Sequence, residues 1–432
     1  MKNLLIINKS KLEDKNMPNT FKLSIAFLMI IILIIGCEKE SIDADSNDIQ
    51  TIWEKIYRGN QNVLASDMLI TDDEGYFIVG RLIHQFEPYL DGDAFLIKTD
   101  ASGEVLWEKT YGNEHPGGAS SIVYANDGNL IIGGTTQSSD TGTDAYVIKV
   151  TTDGDEIWSK TFGDTLDEFV SVQKSFDGGY FLYGNIVNPD DIIVSNPGVA
   201  GYGGFAGRSN PFLLKTDENG NELWSHVFQS SENIVVSSGL PTPDGGLLFL
   251  ASILNYPADD NDLYLLKVDG YGNEVWSQTL TQGSMSGFNM IQTQDGYYLI
   301  SGLYKDTDNN QTIGDFLFLK IDQNGNKIWS STFGDPDMID YGKVLVESNS
   351  GGYVVVGEKT RNFYGNEIQM NIVKIDANGQ LLGEESYASS HTMFSKILQH
   401  SNGEYIICAS IYIDPVFNVI LYKKEIDGKI EN

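Results

Sequence analysis

Cysteine is nearly absent from this chain: two residues, at 37 and 408, in a total of 432. So few thiols exclude a disulfide framework as the source of stability. Histidine is almost as scarce. The five residues, at 84, 115, 226, 391 and 400, show no metal-ligand spacing, and no Ser/His/Asp arrangement stands out around them. Basic residues are few, 28 against 60 acids, which leaves a net charge of −32. That potential repels nucleic acid and anionic lipid surfaces, so partners are expected to be neutral, cationic or bridged by a divalent metal; it also favours solubility. Helical periodicity is missing as well. No window outside the N-terminal segment sustains a 3.6-residue apolar period, so little helix is expected.

What the chain does have is self-similarity. Text such as DAFLIKTDASGEVLW, DAYVIKVTTDGDEIW, NPFLLKTDENGNELW, DLYLLKVDGYGNEVW and DFLFLKIDQNGNKIW recurs along it. The lysines at 98, 149, 215, 267, 320, 374 and 423 mark seven units with spacings of 51, 66, 52, 53, 54 and 49. A second marker runs in phase, a Gly or Asp-Gly turn followed by a short apolar run, as in DGNLIIGG at 127–134 and DGYYLISG at 295–302. A period near fifty is the mark of a repeat architecture. Each unit reads as four short strands rich in Val, Ile, Tyr and Phe and bounded by Gly, Asn and Asp. Runs apolar on both faces, such as FLIK and YVIK, fit sheets packed on both sides. The expected fold is all-β: a seven-bladed β-propeller of four-stranded blades.

The ends predict how the ring closes. The opening TIWEKIYRGN (51–60) matches the last strand of a blade, WEKTYGN (107–113), and the closing FNVILYKKEIDGK (417–429) matches a third strand. The N-terminal strand should therefore complete blade seven, removing an open sheet edge. The propeller is expected over 51–432, with no second domain.

Ahead of it lies one apolar run, Ser24–Ile35, of which eleven continuous residues are apolar. That is short for a membrane span but suits a signal-peptide core. Ile34-Ile35-Gly36-Cys37 resembles a bacterial lipobox, which implies a signal peptide over 1–36 (its start at Met1 or at Met17), acylation of Cys37 and an outer-membrane lipoprotein facing the periplasm or the cell surface. The first 36 residues hold five lysines and two acids, so the remainder carries −35 rather than −32. Residues 37–50 then form an acidic tether with little to bury. Acids close behind the cysteine resemble surface-export signals of Bacteroidota-type bacteria. Cys408, inside the run EYIIC, is expected to be a buried small hydrophobe.

The spacing Asp100-x-x-Gly103-x-x-x-Trp107, repeated at Asp217/Gly220/Trp224, Asp269/Gly272/Trp276 and Asp322/Gly325/Trp329, is similar to the tryptophan-docking repeat of quinoprotein-like (PQQ-type) propellers, although one residue shorter between Asp and Gly. The small residues closing the second strand resemble kelch repeats. The resemblance implies that Trp53, Trp107, Trp158, Trp224, Trp276 and Trp329 dock between blades. Signatures of the enzymes in those families, a vicinal Cys pair or a Cys–Tyr cross-link with His ligands, are not found, and a non-enzymatic role is expected. The stretch Asp306-Thr-Asp308-Asn-Asn310 is the nearest approach to a calcium loop. It lacks the Gly at the sixth place and the Glu at the twelfth, so no cofactor is expected, with calcium there the one alternative.

First-to-second and third-to-fourth strand turns are tight and uniform; the other two connections vary in length and share the opposite face. Variable loops on a rigid scaffold are where binding usually sits. That face should carry Tyr89, Tyr256, Tyr341, Tyr364 and, in an insertion at 188–210, Tyr202 and Phe205, among dense carboxylates. Aromatics beside acids suit a glycan or a cationic peptide. The expected function is partner binding by a monomer tethered through its lipid, the partner being a protein or glycan; the alternatives are a scaffold in an outer-membrane assembly and, third, a propeller enzyme.

Overall fold

The computed structural model describes residues 49–426 apart from 58–61, 86–90, 113–116, 139–141, 164–166, 188–207, 256–259, 282, 308–312, 362–367, 390–391 and 414. Its elements are all strands. β1 (Gln50–Tyr57) comes first, and blade one follows with β2 (Asn62–Ile70), β3 (Tyr76–Gln85), β4 (Asp91–Thr99) and β5 (Val105–Tyr111). Blade two is β6 (Gly117–Tyr124), β7 (Leu130–Ser138), β8 (Gly142–Val150) and β9 (Glu156–Phe162). Blade three is β10 (Asp167–Lys174), β11 (Tyr180–Val187), β12 (Ser209–Thr216) and β13 (Glu222–Val227). Blade four is β14 (Ile234–Pro241), β15 (Leu247–Ile253), β16 (Asp262–Val268) and β17 (Glu274–Leu280). Blade five is β18 (Ser284–Gln292), β19 (Tyr298–Lys305), β20 (Asp315–Ile321) and β21 (Lys327–Phe333). Blade six is β22 (Ile339–Glu347), β23 (Tyr353–Thr360), β24 (Ile368–Ile375) and β25 (Leu381–Ser389). Blade seven is β26 (Thr392–Gln399), β27 (Tyr405–Ile413) and β28 (Val416–Glu425), completed by β1 in the order β1-β28-β27-β26.

Seven antiparallel four-stranded sheets thus form a β-propeller, closed as the chain ends predict: Trp53 of β1 stands opposite Lys423 of β28, the register that pairs Lys98 with Trp107 in blade one. Apolar side chains gather in clusters shared by neighbouring blades, such as Val79 and Leu96 with Ile122 and Ile132. The seam between the chain ends is built the same way, from Met68 and Ile78 of blade one against Cys408 and Leu421 of blade seven. Cys408 is fully buried, and burial pushes its thiol well above the ordinary range. It serves as packing, as its place in an apolar run predicts. Each fully buried aliphatic or aromatic side chain contributes about 1.5–3 kcal/mol, so the interfaces supply most of the stabilisation.

The repeated turn text has a physical cause. In the third-to-fourth strand turn of blade three, one carboxylate oxygen of Asp217 accepts the backbone N–H of Asn219 at 2.9 Å and of Asn221 at 2.8 Å. Asp100, Asp269, Asp322 and Asp376 do the same in their blades, and in blade two the Thr151 hydroxyl takes the place. The Gly that follows meets the Trp of the preceding blade. Trp53, Trp107, Trp158, Trp224, Trp276 and Trp329 lie against Gly103, Gly154, Gly220, Gly272, Gly325 and Gly379 respectively.

Blade six lacks its Trp at Gly383, and the topology supplies the reason. The third and fourth strands of blade seven come from opposite ends of the chain, so no continuous turn faces that position. Ile49, leading into β1, occupies the seam instead: its N–H donates to Glu385 at 2.6 Å and its carbonyl accepts the Tyr387 hydroxyl at 3.0 Å. Tyr57 and Tyr111, at the same distance behind Trp53 and Trp107, donate to the turn carbonyls of Gly103 and Gly154.

Candidate functional site

The face bearing the tight turns is built from the same parts in the first five blades. The repeat lysine on the third strand reaches the aspartate of the first turn: Lys98–Asp73 at 2.8 Å, Lys149–Asp127 at 2.7 Å, Lys215–Asp177 at 2.5 Å, Lys267–Asp244 at 2.9 Å and Lys320–Asp295 at 2.6 Å. The sequence pattern marks these lysines without naming their partners. The signal is that turn Asp and strand Lys recur together in five units, while blades six and seven have Ser350 and Asn402 in place of the Asp. Hydrogen bonds from Lys98 and Thr71 hold the Asp73 carboxyl down at about 2. At the seam Glu74 replaces the turn glycine with φ of 63°; its carboxylate accepts His400 Nδ1 at 2.9 Å, and His400 Nε2 meets the Tyr76 hydroxyl at 2.8 Å. These are structural contacts.

The opposite ends of the blades depart from the repeat, most strongly at blades five and six. Every first strand carries a bulge, and its extra residue is serine in four blades, at 66, 120, 237 and 395. Ser237 donates to the Gly287 carbonyl at 2.6 Å and Ser395 to that of Ala65 at 2.7 Å, tying one first strand to the next. In blades five and six the bulge residues are Phe288 and Lys343. The Lys343 ammonium lies 4.6 Å from the ring centre of Phe288 and 4.6 Å from that of Tyr341, with the two rings 6.1 Å apart and tilted by 62°. The Tyr341 hydroxyl donates to Glu358, directly across the β22–β23 pair. Glu358 is only 7% exposed; burial pushes its carboxyl up, and the charge of Lys343 and the Tyr341 hydrogen bond oppose that rise. Leu303, Ile339 and Tyr341 form a separate small apolar cluster here, with Phe288 and Ile313 against it.

A second group of charges adjoins it. Asp340 is 0% exposed; its Oδ2 accepts the Asp335 N–H at 2.8 Å, while Oδ1 finds no hydrogen-bond donor among the described residues and faces Lys359 at 3.8 Å. Burial pushes its carboxyl up to about 6. Lys359 also reaches Glu384 at 3.2 Å and Asp335 at 3.8 Å. Burial acts to lower its pKa, and these carboxylates overcome that effect and hold it above the ordinary value. Among the described residues no group of three or more His, Cys, Asp or Glu is arranged to hold a metal ion. Buried charges that the repeat does not require are candidates for function.

Of the aromatic residues expected on this face, Tyr341 is described. The structure places it near the start of β22 rather than in a loop, 9% exposed and between Lys343 and Glu358. Tyr89, Tyr202, Phe205, Tyr256 and Tyr364 lie outside the described residues, as does Cys37. Phe288, Lys343, Glu358 and Asp340 sit on three different strands, so no local sequence pattern marks them as a group. A shallow groove of about 270 Å³ also opens between blades three and four, lined by Pro211, Phe228, Ser230, Glu232, Ile234 and Tyr264, close to where the chain re-enters β12.

No family model matches the chain, and no curated protein sequence matches it. Solved structures resemble it in fold. Puromycin hydrolase is similar with a TM-score of 0.49 and 10% identity, the match covering 86% of this chain and 54% of that one. Sqt1 from Chaetomium thermophilum gives 0.46 and 12% identity over 84% of this chain and 83% of its own. The acylaminoacyl peptidase of Pyrococcus horikoshii gives 0.44 and 12% identity over 83% and 52%. The chain spans about half the length of the hydrolase and of the peptidase.

Proposed function

We propose that the protein is an envelope lipoprotein whose propeller binds a protein or glycan partner through the face opposite the tight turns. One observation carries the reading: the turn face repeats the same Lys–Asp ion pair in five blades and the same Trp–Gly contact at six seams, whereas the other face breaks the repeat with buried charges and an extra apolar cluster at blades five and six. A repeat maintained for packing alone has no need of a fully buried carboxylate. The lipobox-like Gly36-Cys37 supports the address, and the charge of −32 supports a partner that is neutral or positively charged.

Two experiments test it. Labelled palmitate should enter the wild-type protein and not Cys37→Ser; label in the variant contradicts the lipoprotein reading. Partner recovery from the native envelope, followed by titration, should show weaker binding for Phe288→Ala and unchanged binding for Tyr271→Ser, a 77% exposed position on the turn face. The reverse order of effects moves the binding surface to the turn face.

A further inference from the structure

We propose that Phe288, Tyr341 and Glu358 form a binding site for a primary alkylammonium, such as the side chain of a lysine on a partner peptide, and that the chain's own Lys343 fills it in the free protein. This rests on the reading of the face opposite the tight turns as the binding face, and it names the chemistry that face selects.

Two aromatic faces at 4.6 Å from one ammonium provide the quadrupole attraction that recognises alkylammonium ions. Beside them lies a carboxylate, Glu358, directly across the β22–β23 pair from Tyr341, 7% exposed and within the electrostatic reach of Lys343. A buried carboxylate needs a cation nearby or it takes up a proton. The ring framework requires none of this. At the position of Glu358 the other blades carry Arg81, Thr135, Asn185, Ser252, Leu303 and Ser410, and at that of Lys343 four of them carry serine. Lys343 and Phe288 are partly buried rather than enclosed, so the ammonium has a route out to solvent while the walls stay in place. Cations are the species that the field of the chain concentrates.

An internal lysine competes as a ligand at an effective concentration on the order of millimolar. The site should therefore be weak towards free amines in the wild type and open when Lys343 is shortened. The probe is n-butylammonium chloride, titrated calorimetrically into the full chain in nonionic detergent, with n-butanol and sodium chloride as controls. Lys343→Ala is expected to bind the probe at least tenfold more tightly than wild type, and Lys343→Ala combined with Glu358→Gln to lose that gain; n-butanol should show none of it. Equal affinity in Lys343→Ala and wild type overturns the proposal, and so does a gain that survives Glu358→Gln. A measurement on the unaltered protein guards against a variant that fails to fold. The ε-methylene protons of Lys343, held between two rings, should resonate upfield and move towards free-lysine values as n-butylammonium, but not sodium, is added. An unmoved signal at saturating probe contradicts the site. If the probe fails while Phe288→Ala still weakens the recovered partner, the binding face stands and the ammonium chemistry falls. If neither responds, both fall.

Discussion

The indole of Trp158, on the outer strand of blade two, lies against Gly220 in the turn of blade three so closely that a Cβ on the glycine would meet the ring at 2.6 Å. Gly220 also has φ of 73°, a conformation that side chains other than glycine's resist. Gly220→Ala therefore combines backbone strain with a steric clash and is expected to destabilise by about 2–4 kcal/mol. Gly128 is the control. Its φ is 80° but nothing lies within 4 Å of a Cβ there, so Gly128→Ala should cost only about 1 kcal/mol. Urea denaturation of both variants checks the difference; equal losses would mean that the Trp–Gly contact carries little.

The seam gives a second prediction. Removing 50–57 deprives β28 of one of its two partners, Lys424 of the Thr51 hydroxyl at 2.8 Å, and Gly103 of Trp53. The melting temperature should fall by more than about 10 °C, since a 1 kcal/mol loss alone shifts a domain of 150–250 residues by about 2–4 °C. Tyr387→Phe, which removes the hydroxyl shared between the Ile49 carbonyl and the Glu385 carboxylate, should cost about 1 kcal/mol. A deletion variant melting with the intact chain would remove β1 from blade seven.

Lys215 illustrates the cost of a buried ion. Its side chain is 2% exposed and its ammonium is paired with Asp177, which is 61% exposed. Asp177→Asn strands the ammonium in a buried site, and a loss of about 2–4 kcal/mol is expected; Lys215→Met, which removes the charge and keeps the methylenes, should cost clearly less. Chemical denaturation of the two variants decides it. If Lys215→Met is the more damaging, the pair is itself a net source of stability.

Asp340 sets a pH dependence of unusual sign. Its carboxyl, raised by burial to about 6 from 3.8, holds a proton more tightly in the folded than in the unfolded chain. This group therefore adds stability as pH falls from about 6 to about 4 and withdraws it as pH rises through that window. The turn aspartates act in the opposite direction: Asp73, at about 2, contributes above about pH 4 and loses its contribution as pH falls towards 2, a small effect because that side chain is mostly solvent-exposed. Asp340→Asn should flatten the dependence between about pH 4 and 6 and raise stability at neutral pH by about 1–3 kcal/mol. Denaturation midpoints across that range check it, and an unchanged pH profile in Asp340→Asn would assign the dependence to another group.

Much of this architecture is legible without coordinates because repetition exposes it. The Lys98-to-Trp107 step, repeated, predicts third and fourth strands, and TIWEKIY at 51–57 predicts the closing strand. The partners of the repeated residues are less legible. Lys215 meets Asp177 across 38 positions, a distance fixed by strand register and not by any local spacing. The loss of Trp at Gly383 becomes intelligible only once blade seven is seen to be split between the chain ends. The charged group at blades five and six is hidden for the same reason: Phe288, Lys343 and Glu358 lie on β18, β22 and β23 and meet through register. Their one local signal is negative, the absence of the serine that four other blades have at the bulge.

The most direct test of the binding-face assignment is photo-crosslinking in the native envelope, with a benzophenone amino acid placed at Ile313, beside the extra apolar cluster, or at Tyr271 on the turn face. The account predicts a discrete adduct from position 313 and none from 271. An adduct from 271 with none from 313 would contradict it.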